Sequence, residues 1–302
     1  MYGNAPNSHG INVRIMTSVN HFNIPVLCYH SWRIEGRDYA SNDHVAMARD
    51  LEALKNAGYQ LLSVPLLITG LRDGSANQQF AGERLVCVTF DDGFLYDVED
   101  MTHPEIGLIP SFHTLLNRVD QIPERFDEGP KAVAFVIASD QARRELRFSS
   151  DPEGNWDLRN DWWLEATRGD TIAIGNHSWD HTHPDVDEVK QREGKKGSFL
   201  AIDNAADAFT QVIEAQYTID EQTQGGALKV FCYPYGDVPS FLCDEYLPTE
   251  GAAAGLEAAF GTGGDLVRPN SNLWNLPRLV CGEHWREEGA LLPLIESLRR
   301  HA

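Results

Sequence analysis

Thr89-Phe90-Asp91-Asp92-Gly93 closes the apolar run Leu85-Val86-Cys87-Val88. The run reads as a buried strand, and two adjacent carboxylates stand where it leaves the core. Successive side chains of a strand point to opposite faces. Glycine at 93 permits a sharp turn at that point, so both carboxylates can be presented at the mouth of a sheet or barrel. One can then hold a metal while its neighbour takes a proton. Asp-Asp-Gly after a strand is also ordinary turn chemistry, so the motif gains meaning only with partners elsewhere in the chain.

A partner stands at Asn176-His177-Ser178-Trp179-Asp180-His181, after the strand-like run Thr171-Ile172-Ala173-Ile174-Gly175. His177 and His181 are four apart, which puts both imidazoles on one side of a helical turn or tight loop. Two imidazoles and one carboxylate make a common catalytic zinc set with an open position. The plainer alternative is a pair of solvated loop histidines. Parallel α/β folds gather the C-terminal ends of their strands into one site, and that favours the metal. A third run, Val230-Phe231-Cys232-Tyr233, ends in Pro234-Tyr235-Gly236-Asp237. Such a rigid turn can aim a backbone N–H at an oxyanion.

Together the three segments resemble the polysaccharide deacetylases of the NodB-homology type, carbohydrate esterase family four. The family's first motif is matched at 89–93, its His-Ser/Thr-x-x-His motif at 177–181 and its Pro-Tyr-Gly turn at 234–236, within a resemblance spanning roughly residues 24–282. It implies an α/β fold, a distorted (β/α) barrel of about seven strands. It implies removal of N-acetyl groups from an amino-sugar polymer or oligomer. Asp92, His177 and His181 would hold a divalent metal, zinc first, with iron, cobalt or nickel suited to the same ligands. Asp91 would be the general base, and the Tyr235 N–H would meet the oxyanion.

The opening Ile24-Pro25-Val26-Leu27-Cys28-Tyr29-His30 and the later Gly58-Tyr59-Gln60-Leu61-Leu62-Ser63 resemble the poly-β-1,6-N-acetylglucosamine deacetylase branch. That branch takes its general acid from the first strand, which assigns the role to His30, lying across the site from Asp91. His284, in Gly282-Glu283-His284-Trp285, is the rival acid. The chain also departs from the family. Cys232 and Tyr233 stand where an arginine usually precedes Pro-Tyr, and Arg278, in Leu276-Pro277-Arg278-Leu279, is the expected substitute from a late strand. Asn270-Ser271-Asn272-Leu273-Trp274 matches the fourth motif poorly. Thr182-His183 intervene before Pro184-Asp185, so His183 is an extra ligand candidate.

Three other readings compete. Hydrolysis of another C–N bond, in a cyclic amide or ureide, would keep the fold, but the complete Asp and His set favours the metal form. A non-haem iron enzyme also uses two His and a carboxylate, usually on an all-β scaffold. A non-catalytic sugar-binding module would not need both Asp91 and His30.

Composition narrows the partners. At 302 residues, with 45 acidic against 25 basic residues, the net charge is −20. Nucleic-acid binding relies on basic patches, so nucleic acid is excluded as a partner, as are anionic membranes; an N-acetylated carbohydrate is compatible. Five cysteines without Cys-x-x-Cys spacing lie mostly in strand-like runs, where free cysteine packs as a small hydrophobe. No stretch has the length and apolarity of a membrane span, so no membrane insertion is expected. The first 20 residues lack an apolar signal core. That predicts a cytoplasmic protein, or an extracellular or periplasmic one whose leader has been removed.

The expected organisation is a polar arm at 1–23 and one deacetylase domain at 24–302, with insertions near 145–162 and 185–198. Strands are expected at 24–29, 61–64, 85–90, 132–138, 171–175, 228–233, 256–260 and 276–281. A helix at 42–57 would take Ser41 as N-cap and Gly58 just past its end. A helix at 201–219 would bury Ala205, Phe209, Val212, Ile213 and Ile219, and a last helix at 286–300 would cover the barrel. Trp156, Trp162 and Trp163 are candidates for stacking on sugar rings.

Overall fold

The computed structural model describes residues 21–118, 122–125, 129–149 and 157–300, leaving most of the polar arm and Trp156 outside the described residues. Among the described residues ten strands occur in chain order: β1 (Val26–Tyr29), β2 (Gln60–Leu61), β3 (Leu85–Phe90), β4 (Met101–His103), β5 (Gly107–Ile109), β6 (Ala132–Val136), β7 (Ile172–Asn176), β8 (Val230–Cys232), β9 (Ala258–Phe260) and β10 (Leu279–Val280). Seven form one parallel path in the order β10-β1-β3-β6-β7-β8-β9, and β2 adds to β3 beneath it. β1, β3, β6, β7, β8, β9 and β10 are buried at every position. Both sheet faces are therefore covered, which is why these strands read as unbroken apolar runs rather than alternating ones.

The sheet curls until its edges meet through one segment. Leu276 bridges Phe260 of β9, and three residues later Leu279 pairs with Leu27 of β1. The result is the distorted barrel, with Leu27, Val86, Val88, Ala134 and Ile174 in one apolar cluster and Val26, Cys87, Val133 and Phe135 in another on the opposite face. All five cysteines are buried and free. Among the described residues no helix is long and apolar enough to cross a membrane.

Local chemistry corrects several boundaries. Helix Asp43–Asn56 is capped by Asn42, not Ser41: the Asn42 side chain accepts from the N–H groups of His44 and Val45. Ser41 ends a short 3-10 turn. The strand expected to 64 stops at Leu61, because a helix begins at Val64 with Pro65 in its first turn, where proline is favoured. The last helix starts only at Leu291, after a turn in which Gly289 has φ +83°.

The helix predicted at 201–219 runs from Ala205 to Gln222, but its middle, Phe209–Glu214, is π-helical. The wider turn rotates the buried face. Val212, Ile213 and Ile219 are buried as expected, whereas Ala205 and Phe209 are exposed and Ala208, Gln211 and Ala215 take the inner positions. The hairpin of β4 and β5 had no counterpart in the strand expectations; each of its strands is three residues long.

Candidate active site

β3 delivers the first two carboxylates. Asp91 N–H still bonds to the Tyr29 carbonyl at 3.2 Å, and the chain then turns through Asp92 at φ +76° and Gly93 at φ +78°. A Cβ on Gly93 would sit 2.7 Å from Val136 Cγ1 and 3.1 Å from its Cα. Only glycine lets β3 turn this close to β6. Among the described residues, five of the six non-glycine residues with positive φ are Asp92, Ser178, His181, Thr182 and Tyr235. Left-handed backbone at non-glycine residues costs on the order of 1–3 kcal/mol each and gathers at functional sites; here it gathers around one cavity.

β7 delivers the histidines, and a buried polar network shapes their loop. Asn176 accepts from Ser178 N–H and donates to the Val212 carbonyl, while Ser178 Oγ accepts from His181 N–H. Asp180 accepts from Thr182 N–H, Lys190 N–H and the Gln211 amide. Val212 and Gln211 both lie in the π-helical stretch, so the irregularity that moved the helix face also supports this loop. Single π turns inside helices often occur at functional sites.

Asp92, His177 and His181 each offer a ligand atom, and the three lie within 4.8 Å of one another. Asp92 Oδ1 is 3.6 Å from His177 Nε2 and 3.5 Å from His181 Nε2. Ligands of one tetrahedral ion with bonds near 2.1 Å would stand about 3.4 Å apart, so the donor set fits a divalent cation. The surroundings select those atoms. His177 Nδ1–H donates to the Cys232 carbonyl at 3.0 Å, which leaves the Nε2 lone pair facing Asp92. Burial, followed by His177, pushes the His181 pKa down to about 3, so its ring is neutral at ordinary pH. Trp32 Nε1–H donates to Asp92 Oδ2 at 2.9 Å and leaves Oδ1 for the histidines. Three atoms able to present lone pairs converge here, an arrangement that suits a cation. His183 lines the same cavity but is not in this group.

Asp91 is held differently. Burial, the largest single influence, would raise its pKa, but Arg278, His177 and His30 together outweigh it and keep the carboxyl well below the ordinary range. Arg278 is fully buried and donates to both Asp91 oxygens at 2.7 Å; it also donates to Thr89 Oγ1, the Gly261 carbonyl and Cys232 Sγ. A small thiol at 232 leaves room for this guanidinium to enter from the segment before β10.

The cavity above these groups has a volume of about 220 Å³. His30, His183, Tyr235, Thr262 and Glu283 supply its polar wall, and Phe94, Ile137, Leu146 and Leu158 its apolar wall. The Tyr235 ring packs edge-on to His181 with centroids 4.4 Å apart. A His30 ring nitrogen lies within 4.8 Å of an Asp91 oxygen, and the His30 backbone N–H donates to Asp43. His284 does not line the cavity: its Nδ1 accepts from Val280 N–H and its ring lies against Gly264. Trp162 and Trp163 are buried away from it as well; Arg143 stacks on Trp163.

Trp32 had no sequence signal, because nothing in Ser31-Trp32-Arg33 points to a partner 60 residues on. Its indole should matter to any ion held by this group, since losing the group that orients a ligand typically costs 10–100-fold in affinity. Trp32→Phe should therefore weaken zinc binding about 10-fold or more in competition with a chelator. An unchanged affinity would mean that Asp92 is oriented by its backbone alone.

The same fold occurs in solved deacetylase structures. IcaB from Ammonifex degensii superposes with a TM-score of 0.58 at 19% identity, over 92% of this chain and 97% of that one. A de-N-acetylase from Aggregatibacter actinomycetemcomitans gives 0.56 at 16% identity, over 90% and 99%. The Streptococcus pyogenes deacetylase PplD, in complex with acetate, gives 0.54 at 15% identity, over 86% and 92%. No protein-family model matches the chain, and no curated protein matches it by sequence. At these identities the likeness establishes a shared architecture, that of the polysaccharide deacetylases.

Proposed function

We propose that this protein is a metal-dependent hydrolase that removes N-acetyl groups from an amino-sugar polymer or oligomer. The observation that carries the reading is the pairing of two carboxylates in different roles on one turn: Asp92 converges with His177 and His181, while Asp91 is clamped by Arg278 beside them. The deacetylases of the same fold support it.

Asp92, His177 and His181 would hold the ion, which when bound polarises the acetyl carbonyl and lowers the pKa of water. Each carboxylate oxygen has two lone-pair positions, so Asp91 can accept a proton while its other positions stay on Arg278. Asp91 takes the proton of the attacking water as its oxygen joins the acetyl carbon. The C–N bond then breaks, and His30 gives its proton to the departing nitrogen. The products are acetate and an amine. Tyr235, left-handed at the cavity wall, would offer its N–H to the oxyanion.

Acetate release from a panel of N-acetylglucosamine oligomers, with the ion removed and restored, tests the reading. Release that depends on the ion is expected. His30→Ala should keep the metal, lose on the order of 10²-fold in rate and flatten the alkaline limb of the pH–rate profile. Release that is indifferent to chelation would end the metal assignment, and a full-rate His30→Ala protein would end that of the acid.

A further inference from the structure

The turn after β1 carries two of the groups invoked above. His30 lines the cavity and Trp32 bonds to Asp92, with Ser31 between them fully buried. Behind Ser31 stands His44, in the first turn of helix Asp43–Asn56 and itself buried. Its Nε2 lies 2.8 Å from the Ser31 carbonyl oxygen, and its Nδ1 lies 2.8 Å from the Pro110 carbonyl oxygen. The Phe112 ring packs over it at 4.5 Å.

Both partners are carbonyl oxygens, which only accept. A neutral imidazole donates from one nitrogen and presents a lone pair at the other. At 2.8 Å that lone pair would oppose an oxygen lone pair in a buried place. We propose that His44 is a positioning residue that carries a proton on both ring nitrogens and so ties the His30–Trp32 turn to the loop at Pro110, fixing His30 and the Asp92–Trp32 bond from behind. This rests on the deacetylase reading for its consequence in activity, though not for the state of the ring.

The charge has neighbours of the right sign. Burial is the largest influence and leaves the His44 pKa below its ordinary value; the Ser31 and Pro110 carbonyls, then Asp43 and Asp100, pull it the other way and offset part of that cost. Asp43 belongs to the same helix and accepts from His30 N–H and Arg33, and Asp100 accepts from Ser111 N–H beside Pro110. Asp97, buried beside Ser31, is held well above the ordinary carboxylate range by burial. As pH rises through the His44 pKa one of the two carbonyl bonds must open, and the tie between the turn and the Pro110 loop is broken.

Nitrogen-detected NMR of the histidine rings in the wild-type protein at pH 5, assigned with His44→Gln, tests this directly. Two N–H groups on His44 are expected. His44→Gln, which can satisfy both carbonyls less well, should bind zinc about 10-fold more weakly in a chelator competition, by loosening the residue that orients Asp92. Its acetate release should fall in kcat rather than rise in KM. A single ring N–H in the wild type, or a folded His44→Gln protein with unchanged zinc affinity, would overturn the proposal. The NMR measurement needs only that the wild type fold, and neither it nor zinc affinity depends on deacetylation. A wild type that releases no acetate therefore removes the activity reading alone.

Discussion

The Asp91→Asn protein, loaded with zinc, should retain its metal and lose on the order of 10²-fold or more of its acetate release, the usual loss with a general base. Metal retention follows from geometry, since the converging ligand group of Asp92, His177 and His181 does not include Asp91. The substitution is less conservative than its shape suggests. Arg278 meets Asp91 with two N–H donors, one on each oxygen at 2.7 Å. An asparagine can accept from one of them, while its own NH₂ then faces a donor. The variant should thus also unfold at lower temperature, because a buried cation has lost half its partner. Zinc stoichiometry, thermal unfolding and turnover measured on one preparation separate the effects. Undiminished turnover in the loaded variant would remove Asp91 from the role of base.

How much of this was open to sequence reading depended on how far apart the cooperating residues lie. The seven strands of the parallel path were legible because parallel strands covered on both faces must be apolar throughout, and the runs at 85–90 and 132–138 say so without help from neighbours. The paired motifs were legible because Asp91 with Asp92, and His177 with His181, are each local in sequence, and both follow such runs. The supporting residues were not. Trp32 reaches Asp92 across 60 positions, and His44 reaches Pro110 across 66. Tertiary contacts of that kind leave no periodicity. The π-helical turn at Phe209–Glu214 also escaped, since a 3.6-residue stripe assumes a uniform helix. Leu146 and Leu158 were read as parts of a polar insertion, yet they wall the cavity, because two leucines twelve residues apart in a charged stretch carry no pattern. Asn42 and Ser41 are both good capping residues, and only the path of the chain decides between them.

Arg278→Met should be the most destabilising single change at the site. The arginine is fully buried and meets Asp91, Thr89, Gly261 and Cys232 at once. Its removal leaves the Asp91 carboxylate buried without a counter-charge, and breaking such a pair costs about 3–5 kcal/mol. The pH dependence gives the loss its signature. With Arg278 present, the folded-state pKa of Asp91 lies below that of an unfolded aspartate, about 3.9. A depressed carboxylate stabilises the fold above that value, and the contribution fades as pH falls below it toward the folded pKa. The gap in unfolding free energy between wild type and Arg278→Met should therefore be widest above about pH 4 and close under more acidic conditions. Without the guanidinium, burial raises the Asp91 pKa, so the acid limb of the pH–rate profile should move to higher pH. Arg278→Lys restores a charge but not the two-pronged contact, and it should recover part of the stability and little of the rate. Denaturant titrations from pH 3 to pH 8 on the three proteins decide the matter. A loss that stays constant across that range would mean that Arg278 acts through packing and not through its charge pairing with Asp91.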